Sequence, residues 1–192
     1  MFHSNSKKGL ISYWITIIVF IWIVSSNLYC KNTISSHLSF SGEQGKEGWF
    51  FGYLEEEDSL ILYDVYDELK ATWWNTQFNN FKYGFVSKFG MHPGSLYPAV
   101  RQFVAPKSGN LTIFPSELEI KKSADGIAVQ IRINDMRLWP KSEEFYIMEE
   151  PILKIPELSH PVKKGEKIFF IIGSNLNAFS DFTKWKVALK IN

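Results

Sequence analysis

Two segments of the chain alternate large apolar side chains with smaller or polar ones at a period of two residues. These segments are "GIAVQIRIN" and "KWKVALKI". A β-strand places such side chains on one face, whereas a helix would scatter them around its circumference. The repeating apolar positions are Ile127, Val129, Ile131, Ile133, Trp185, Val187, Leu189 and Ile191. Both segments are therefore predicted to be half-buried strands.

The rest of the chain after the first 30 residues favours strands as well. "EGWFFGYL", "SLILYDVY", "YPAVRQFVAP", "NLTIF" and "EKIFFIIG" are short apolar runs, and polar turns such as "KSGN", "SADG" and "VKKGE" separate them. Prolines recur from Pro93 to Pro161 and leave no room for a long helix. Only "DVYDELKATWW" has room for a helical turn. The pattern predicts an all-β fold, an antiparallel sandwich of the jelly-roll type.

Residues 1–30 have a different pattern and form an apolar leader. Lys7 and Lys8 precede the apolar run "LISYWITIIVFIWIV", and the more polar "SSNLYC" follows it. This is the order of a signal peptide, and the run is shorter than the roughly 20 residues of a membrane span. An uncleaved helical membrane anchor and lipid attachment at Cys30 are the alternatives. Each predicts a secreted or cell-surface protein that meets the membrane only through this segment.

Residues 31–192 are long enough for a single domain with one core. Of the 21 basic residues, Lys7 and Lys8 belong to the leader, which leaves 19 against 20 acidic residues. This near-neutral balance argues against nucleic acid as a partner. The single cysteine is Cys30, so the domain is predicted to depend on its core and not on a disulfide.

Arg101 lies inside the predicted strand "YPAVRQFVAP". Alternation places it on the same face as Ala99 and Phe103, among apolar neighbours, where an unpaired guanidinium is costly. We expect it to be buried and bonded either to several carbonyl groups or to a carboxylate such as Asp125 or Asp181. The alternative is a ligand clamp, because the planar guanidinium suits a sugar carboxylate or neighbouring hydroxyl groups.

Several motifs, taken in order, resemble a known class of module. They are "SFSGEQGKEGWFFGY", "HPGSLYPAVRQFVAP", "DGIAVQIRIND", "VKKGEKIFFIIG" and "SDFTKWKVAL". Together they resemble a β-sandwich module of secreted bacterial polysaccharide-degrading and surface proteins, over nearly the whole chain after the leader. The resemblance implies a non-catalytic, carbohydrate-binding-like domain. It departs at Phe103, where the pattern has tryptophan, and at Glu166, where it has aspartate. The matching positions are Trp49, His92, Arg101, Asp125, Trp139, Asp181 and Trp185.

No catalytic motif is recognisable, and we do not expect an enzyme. His37, His92 and His160 are far apart, with no zinc-type spacing between them. His92, before Pro93, is expected to be a hydrogen-bonded turn residue or, with Arg101, part of a ligand pocket. Calcium is an open alternative, with Asp125 and Asp181 as weak candidate ligands, because both are hard oxygen donors in turn-rich segments.

Tryptophan is the residue type that most favours a binding function. Flat aromatic rings stack on the apolar face of a pyranose. Trp49 and Trp185 are expected in the core, whereas Trp73, Trp74 and Trp139 are candidates for the surface. Adjacent residues on a strand point to opposite sides, so one of Trp73 and Trp74 should be exposed or cover a sheet edge. The sequence predicts a module that binds a polysaccharide or other glycan. The alternative is a structural or protein-interaction sandwich of a surface assembly, with a protein partner and no sugar ligand.

Overall fold

The computed structural model describes residues 33–55, 59–76, 84–120, 125–148 and 150–192. Their regular structure consists of 18 strands and one short 3-10 segment, Lys46–Gly48. All strand pairings are antiparallel, in three sheets. This confirms the predicted all-β, antiparallel sandwich. Within the described residues, "DVYDELKATWW" forms two strands joined by a turn, and no helical turn occurs there.

The front sheet contains the strands with the clearest sequence alternation. Its order is β12-β11-β16-β8-β2-β3, and β13 pairs with β11 beyond the end of β12. The strands are β2 (Trp49–Leu54), β3 (Leu60–Leu62), β8 (Ala99–Val104), β11 (Ile127–Ile133), β12 (Met136–Trp139), β13 (Tyr146–Met148) and β16 (Lys167–Ser174). The long strand β16 is paired on both sides along most of its length, which makes it the centre of the sheet.

The back sheet faces the front sheet across the core. Its order is β14-β10-β17-β7-β6-β5-β4. The strands are β4 (Val65–Asp67), β5 (Thr72–Trp74), β6 (Gly84–Ser87), β7 (Gly90–Pro93), β10 (Ser116–Ile120), β14 (Ile152–Ile155) and β17 (Thr183–Trp185).

A four-stranded side sheet extends the back layer. Its order is β1-β18-β9-β15, with β1 (Ile34–Ser35), β9 (Gly109–Ile113), β15 (Leu158–Val162) and β18 (Ala188–Ile191). The paired strands β9 and β18 lead directly into the paired strands β10 and β17 of the back sheet. The segment "KWKVALKI", predicted as one strand, is therefore two strands in two sheets. Its alternation survives because the side chains of Trp185, Val187, Leu189 and Ile191 all remain buried on the core side.

The space between the layers is filled by large apolar side chains. Trp49 packs against Phe103 of the front sheet, with ring centroids 5.1 Å apart, and Phe170 meets Trp185 edge-to-face at 5.6 Å and 85°. All four side chains are buried. Aromatic pairs in tilted and edge-to-face arrangements add to the free energy gained by burying their area. The expectation that Trp49 and Trp185 belong to the core is confirmed.

Residues Ile34–Asn192 form one compact unit. The leader, residues 1–30, lies outside the described residues, so its cleavage, anchoring or lipidation stays a prediction. In the part of the chain that the structure describes, no helix has the length and apolar character needed to cross a membrane.

Candidate functional site

The outward face of the front sheet carries a second, smaller apolar cluster. On β8, Ala99 and Phe103 face the main core, whereas Val100 faces outward. Leu54, Phe169 and Ile171 lie beside Val100, and Leu60 and Phe145 pack against them. Both faces of β8 are therefore covered, which explains why its residues are buried along almost the whole strand.

A cavity of about 750 Å³ adjoins this cluster, and we call it the front groove. Its lining combines apolar side chains with charged groups of both signs. The lining residues are Leu54, Glu55, Leu96, Tyr97, Pro98, Gln130, Arg132, Asp135, Arg137, Glu144, Phe145 and Ile171. The volume falls in the usual range of small-molecule sites, about 300–1,000 Å³.

Strand alternation positions the polar groups of the front groove. Arg132 lies directly across from Arg137 in the β11–β12 hairpin and across from Phe169 on β16. Its guanidinium carbon is 4.8 Å from the centroid of the Phe169 ring, a cation–π contact. Because Arg132 and Arg137 carry like charges at directly opposite positions, they repel each other. Nearby carboxylates or ligand oxygens reduce this repulsion.

One hydrogen bond fixes the wall of the groove formed by Glu144 and Phe145. The side-chain Nε2 of Gln130 donates to the carbonyl oxygen of Glu144 at 2.6 Å. Gln130 itself is buried beneath this segment. The bond holds Phe145 over the outer apolar cluster while the side chain of Glu144 stays exposed.

Arg101 lies on the opposite face of the same sheet, completely buried. Its Nη1 donates to the hydroxyl of Ser36 at 3.0 Å and to the carbonyl of Trp185. Its Nη2 donates to the carbonyls of Ser87 at 2.8 Å and Gly90 at 3.3 Å. We call these four partners the arginine cage. Burial and bonding to several carbonyls confirm that part of the prediction for Arg101.

The suggested carboxylate partners of Arg101 are wrong. Neither Asp125 nor Asp181 bonds to its guanidinium, because carbonyls at the β6–β7 turn and at the end of β17 already converge on it. Burial without a counter-charge lowers the pKa of Arg101 from its ordinary value to about 9, so the guanidinium stays protonated at neutral pH. Its Nη groups point into the protein, and in this conformation a ligand at the surface does not reach them. The role of Arg101 as a ligand clamp stays a prediction.

Trp73 and Trp74 differ in burial, but neither is fully exposed or at a sheet edge, as one of them was expected to be. Trp73 is buried, with its ring 5.1 Å from that of Tyr66, and its Nε1 donates to the carbonyl of Ser41 at 2.8 Å. Trp74, at the end of β5, is half-buried. Trp139 is also half-buried, packs against the main core and lies 5.4 Å from Tyr146, measured between ring centroids.

His92 is half-buried in the back sheet, and its ring stacks on that of Phe85 at 5.3 Å and 22°. Its Nδ1 lies 2.7 Å from the carbonyl of Pro93, so Nδ1 carries the proton and donates. Burial lowers the pKa of His92 from its ordinary 6.5, and the bond to Pro93 opposes this in part. His92 thus forms the expected hydrogen bond, in β7 rather than in a turn.

The structure does not bring the five predicted binding residues to one place. Arg101 and Trp73 are buried, Trp74 and His92 lie in the back sheet, and Trp139 lies at the end of β12. None of the five lines the front groove. Their roles in binding stay predictions.

Asp125, a candidate calcium ligand, orders a loop. Its Oδ2 accepts hydrogen bonds from the backbone amides of Leu176 and Asn177 at 3.0 and 2.8 Å, and from Nδ2 of Asn177 at 2.9 Å. Asp181, the other candidate, is buried. Among the described residues, no three or more His, Cys, Asp or Glu side chains lie together as a metal site would require. Calcium stays a prediction.

The groove residues were missed because they are distant in sequence and individually ordinary. Tyr97 lies just before β8, Arg132 lies in β11, and Glu144 lies between β12 and β13. One signal was available, since Arg132 alternates with Ile131 and Ile133 and must lie on the outward face of a half-buried strand.

No family model and no curated protein matches the chain. Solved structures similar to it include the native structure of a family 35 carbohydrate binding module from Clostridium thermocellum. That module is 6% identical, with a TM-score of 0.31, over 82% of this chain and 90% of that chain. Another is a family 35 carbohydrate binding module from an environmental isolate, 11% identical, with a TM-score of 0.31, over 75% of this chain and 91% of that chain. At these values neither structure assigns a ligand or a residue role to this chain.

Proposed function

We propose that the protein is a non-catalytic, carbohydrate-binding-like module of the cell surface or secreted space, and that it binds a glycan in the front groove. The observation that carries the proposal is the composition of the groove. Arg132 and Arg137 supply donors, and Glu55, Asp135 and Glu144 supply acceptors. Sugar hydroxyls both donate and accept, so a lining of both kinds suits them.

Apolar groups in the groove suit the C–H face of a sugar ring. Tyr97 is half-buried and Leu96 is 63% exposed, and both line the groove. A pyranose presents a face of C–H groups, which packs on an aromatic ring or an aliphatic side chain. The groove therefore offers polar and apolar contacts within one ligand-sized space.

The exposure of the groove carboxylates favours binding over hydrolysis. A glycosidase uses a carboxyl pair at a defined separation, and its acid is kept protonated by an apolar, buried environment. Glu55, Asp135 and Glu144 are all exposed. We therefore assign the groove no catalytic step.

A glycan array on the full-length protein, with and without calcium, tests this proposal. We expect binding by the wild type and weaker binding by Arg137→Ala, whereas Trp74→Ala on the back sheet should keep the wild-type level. Loss in the Trp74 variant with retention in the Arg137 variant would move the site to the back sheet. Absence of binding to plant, algal, bacterial and animal glycans would refute the proposal.

One feature favours the alternative, a protein-interaction sandwich without a sugar ligand. The β16–β17 loop is ordered by Asp125, yet it exposes Leu176 by 83% and Phe179 by 80%. Large apolar side chains held outward by an ordered loop suit an apolar pocket on a protein partner. Under this alternative, Leu176→Ser with Phe179→Ser would abolish assembly into larger complexes in native extracts, and Arg137→Ala would leave assembly intact.

A further inference from the structure

The lining of the front groove extends along much of the length of the central strand and across its neighbours. One end is formed by Leu96 and Tyr97, just before β8, whose Ala99 lies opposite Ile172. The other end is formed by the β11–β12 hairpin, just beyond Ile133, which lies opposite Ile168. The span from Ile168 to Ile172 corresponds to about 13 Å at roughly 3.3 Å per strand residue. A single sugar ring would occupy only part of this length.

The charges of the groove select against a polyanion. Two guanidinium groups, of Arg132 and Arg137, oppose three carboxylates, of Glu55, Asp135 and Glu144, which leaves a formal net charge of minus one. A chain of acidic sugars would place its carboxylates against these three groups, and like charges in a partly enclosed site repel. A neutral sugar chain meets no such repulsion and can use every donor and acceptor.

We infer that the front groove takes an internal segment of a neutral polysaccharide, with successive sugar units lying along β16 and the chain ends outside the protein. The inference rests on the proposed glycan-binding function and specifies the ligand of the same groove. Contacts at both ends of the groove then contribute to binding, and each added sugar unit adds contacts until the groove is filled.

Isothermal titration of the full-length protein with neutral β-1,4-linked gluco-, manno- and xylo-oligosaccharides, from disaccharide to hexasaccharide, tests the inference. In the series that binds, affinity should rise with length and then level off. Borohydride reduction of the terminal sugar of the hexasaccharide should change its affinity by less than about twofold, because the end lies outside the groove. Oligogalacturonates of equal length should bind more weakly.

Variants at the two ends of the groove provide the second measurement. Arg137→Ala and Leu96→Ala should each weaken hexasaccharide binding by about three- to tenfold, as expected for loss of one polar or apolar contact. Matched controls are Lys154→Ala, an exposed cation of the back sheet, and Leu69→Ala, a fully exposed leucine. Both controls should bind as the wild type does.

The outcomes separate the inference from the proposed function. Four outcomes would each overturn the inference while the glycan-binding function stands. Two concern chain length and chain end: equal affinity for disaccharide and hexasaccharide, or loss of binding on reduction of the chain end. The other two are tighter binding of oligogalacturonate, or an effect of only one of the two end variants. Absence of binding to any neutral or acidic oligosaccharide would overturn both.

Discussion

Arg101 and Arg132 occupy opposite faces of the same sheet, and their surroundings give them different roles. Arg101 is fully buried, and protein carbonyls and one hydroxyl accept its hydrogen bonds. Arg132 is half-buried, rests on the ring of Phe169 and lines an open groove. Both arginines alternate with apolar residues along a strand. The comparison shows that such an arginine stabilises the fold when backbone acceptors surround it, and can bind a ligand when one side of it faces an open groove.

Replacing Arg101 tests the buried side of this comparison and should give the largest effect. Arg101→Met removes the donor for three carbonyls and the hydroxyl of Ser36 in a fully buried site. We expect a loss of about 3–5 kcal/mol in the free energy of unfolding, measured by urea denaturation. Arg101→Lys should recover only a part of this, because one ammonium cannot reach both sides of the cage. A methionine variant with wild-type stability would show that the cage does not stabilise the fold.

Ser36 tests one acceptor of the cage separately. Its Oγ accepts from Nη1 of Arg101 at 3.0 Å and from the backbone amide of Val187 at 3.1 Å, and the residue is buried. Ser36→Ala should lower the free energy of unfolding by about 1–3 kcal/mol, since a charged donor and an amide lose their acceptor. Ser39→Ala, which removes an exposed hydroxyl bonded to Glu47, is the matched control and should change stability by less than about 0.5 kcal/mol. Similar losses in both variants would contradict this explanation.

His92 is half-buried, intermediate in exposure between the fully buried Arg101 and the exposed Arg137, and unlike an arginine it can lose its proton near neutral pH. Burial lowers its pKa below the ordinary 6.5, so between the folded pKa and 6.5 the unfolded chain binds more protons. The stability contribution of neutral His92 is therefore complete above pH 6.5 and is lost as pH falls through the folded pKa. Urea midpoints measured from pH 7.5 to pH 5 should decrease for the wild type and decrease less for His92→Gln. Parallel curves for the two proteins would exclude His92 as the source.

The groove arginine should give the smallest effect on stability. Arg137 is exposed in the β11–β12 hairpin, where a surface charge contributes little to folding. Arg137→Ala should change the thermal midpoint by no more than about 1–2 °C, a shift that corresponds to less than about 0.5 kcal/mol. A large decrease in the thermal midpoint would mean that Arg137 stabilises the fold as Arg101 does. The two faces of the front sheet would then not differ in the role of their arginines.

The sequence predicted the strands better than it predicted the candidate site. The alternation of Ile127 to Ile133 and the apolar setting of Arg101 are local properties, and both led to correct predictions. The surface positions expected for Trp73 and Trp139 follow from residue type and local position in the chain, whereas their actual exposure depends on which strands pair across the sheet. The front groove depends on register between β11 and β12 and on Phe145 folding back over Val100, which no single segment encodes.

The arginine cage joins parts of the chain that are far apart in sequence. Arg101 bonds to residues 65 positions before it and 84 positions after it, and Ser36 accepts a bond across 151 positions. Such closures are entropically expensive early in folding, and chains dominated by them fold on the slower millisecond-to-second scale. We therefore expect the cage to close after most of the sandwich has formed, so that its loss speeds unfolding more than it slows folding. A buried arginine of this kind should therefore affect the lifetime of the folded protein more than the rate at which it folds.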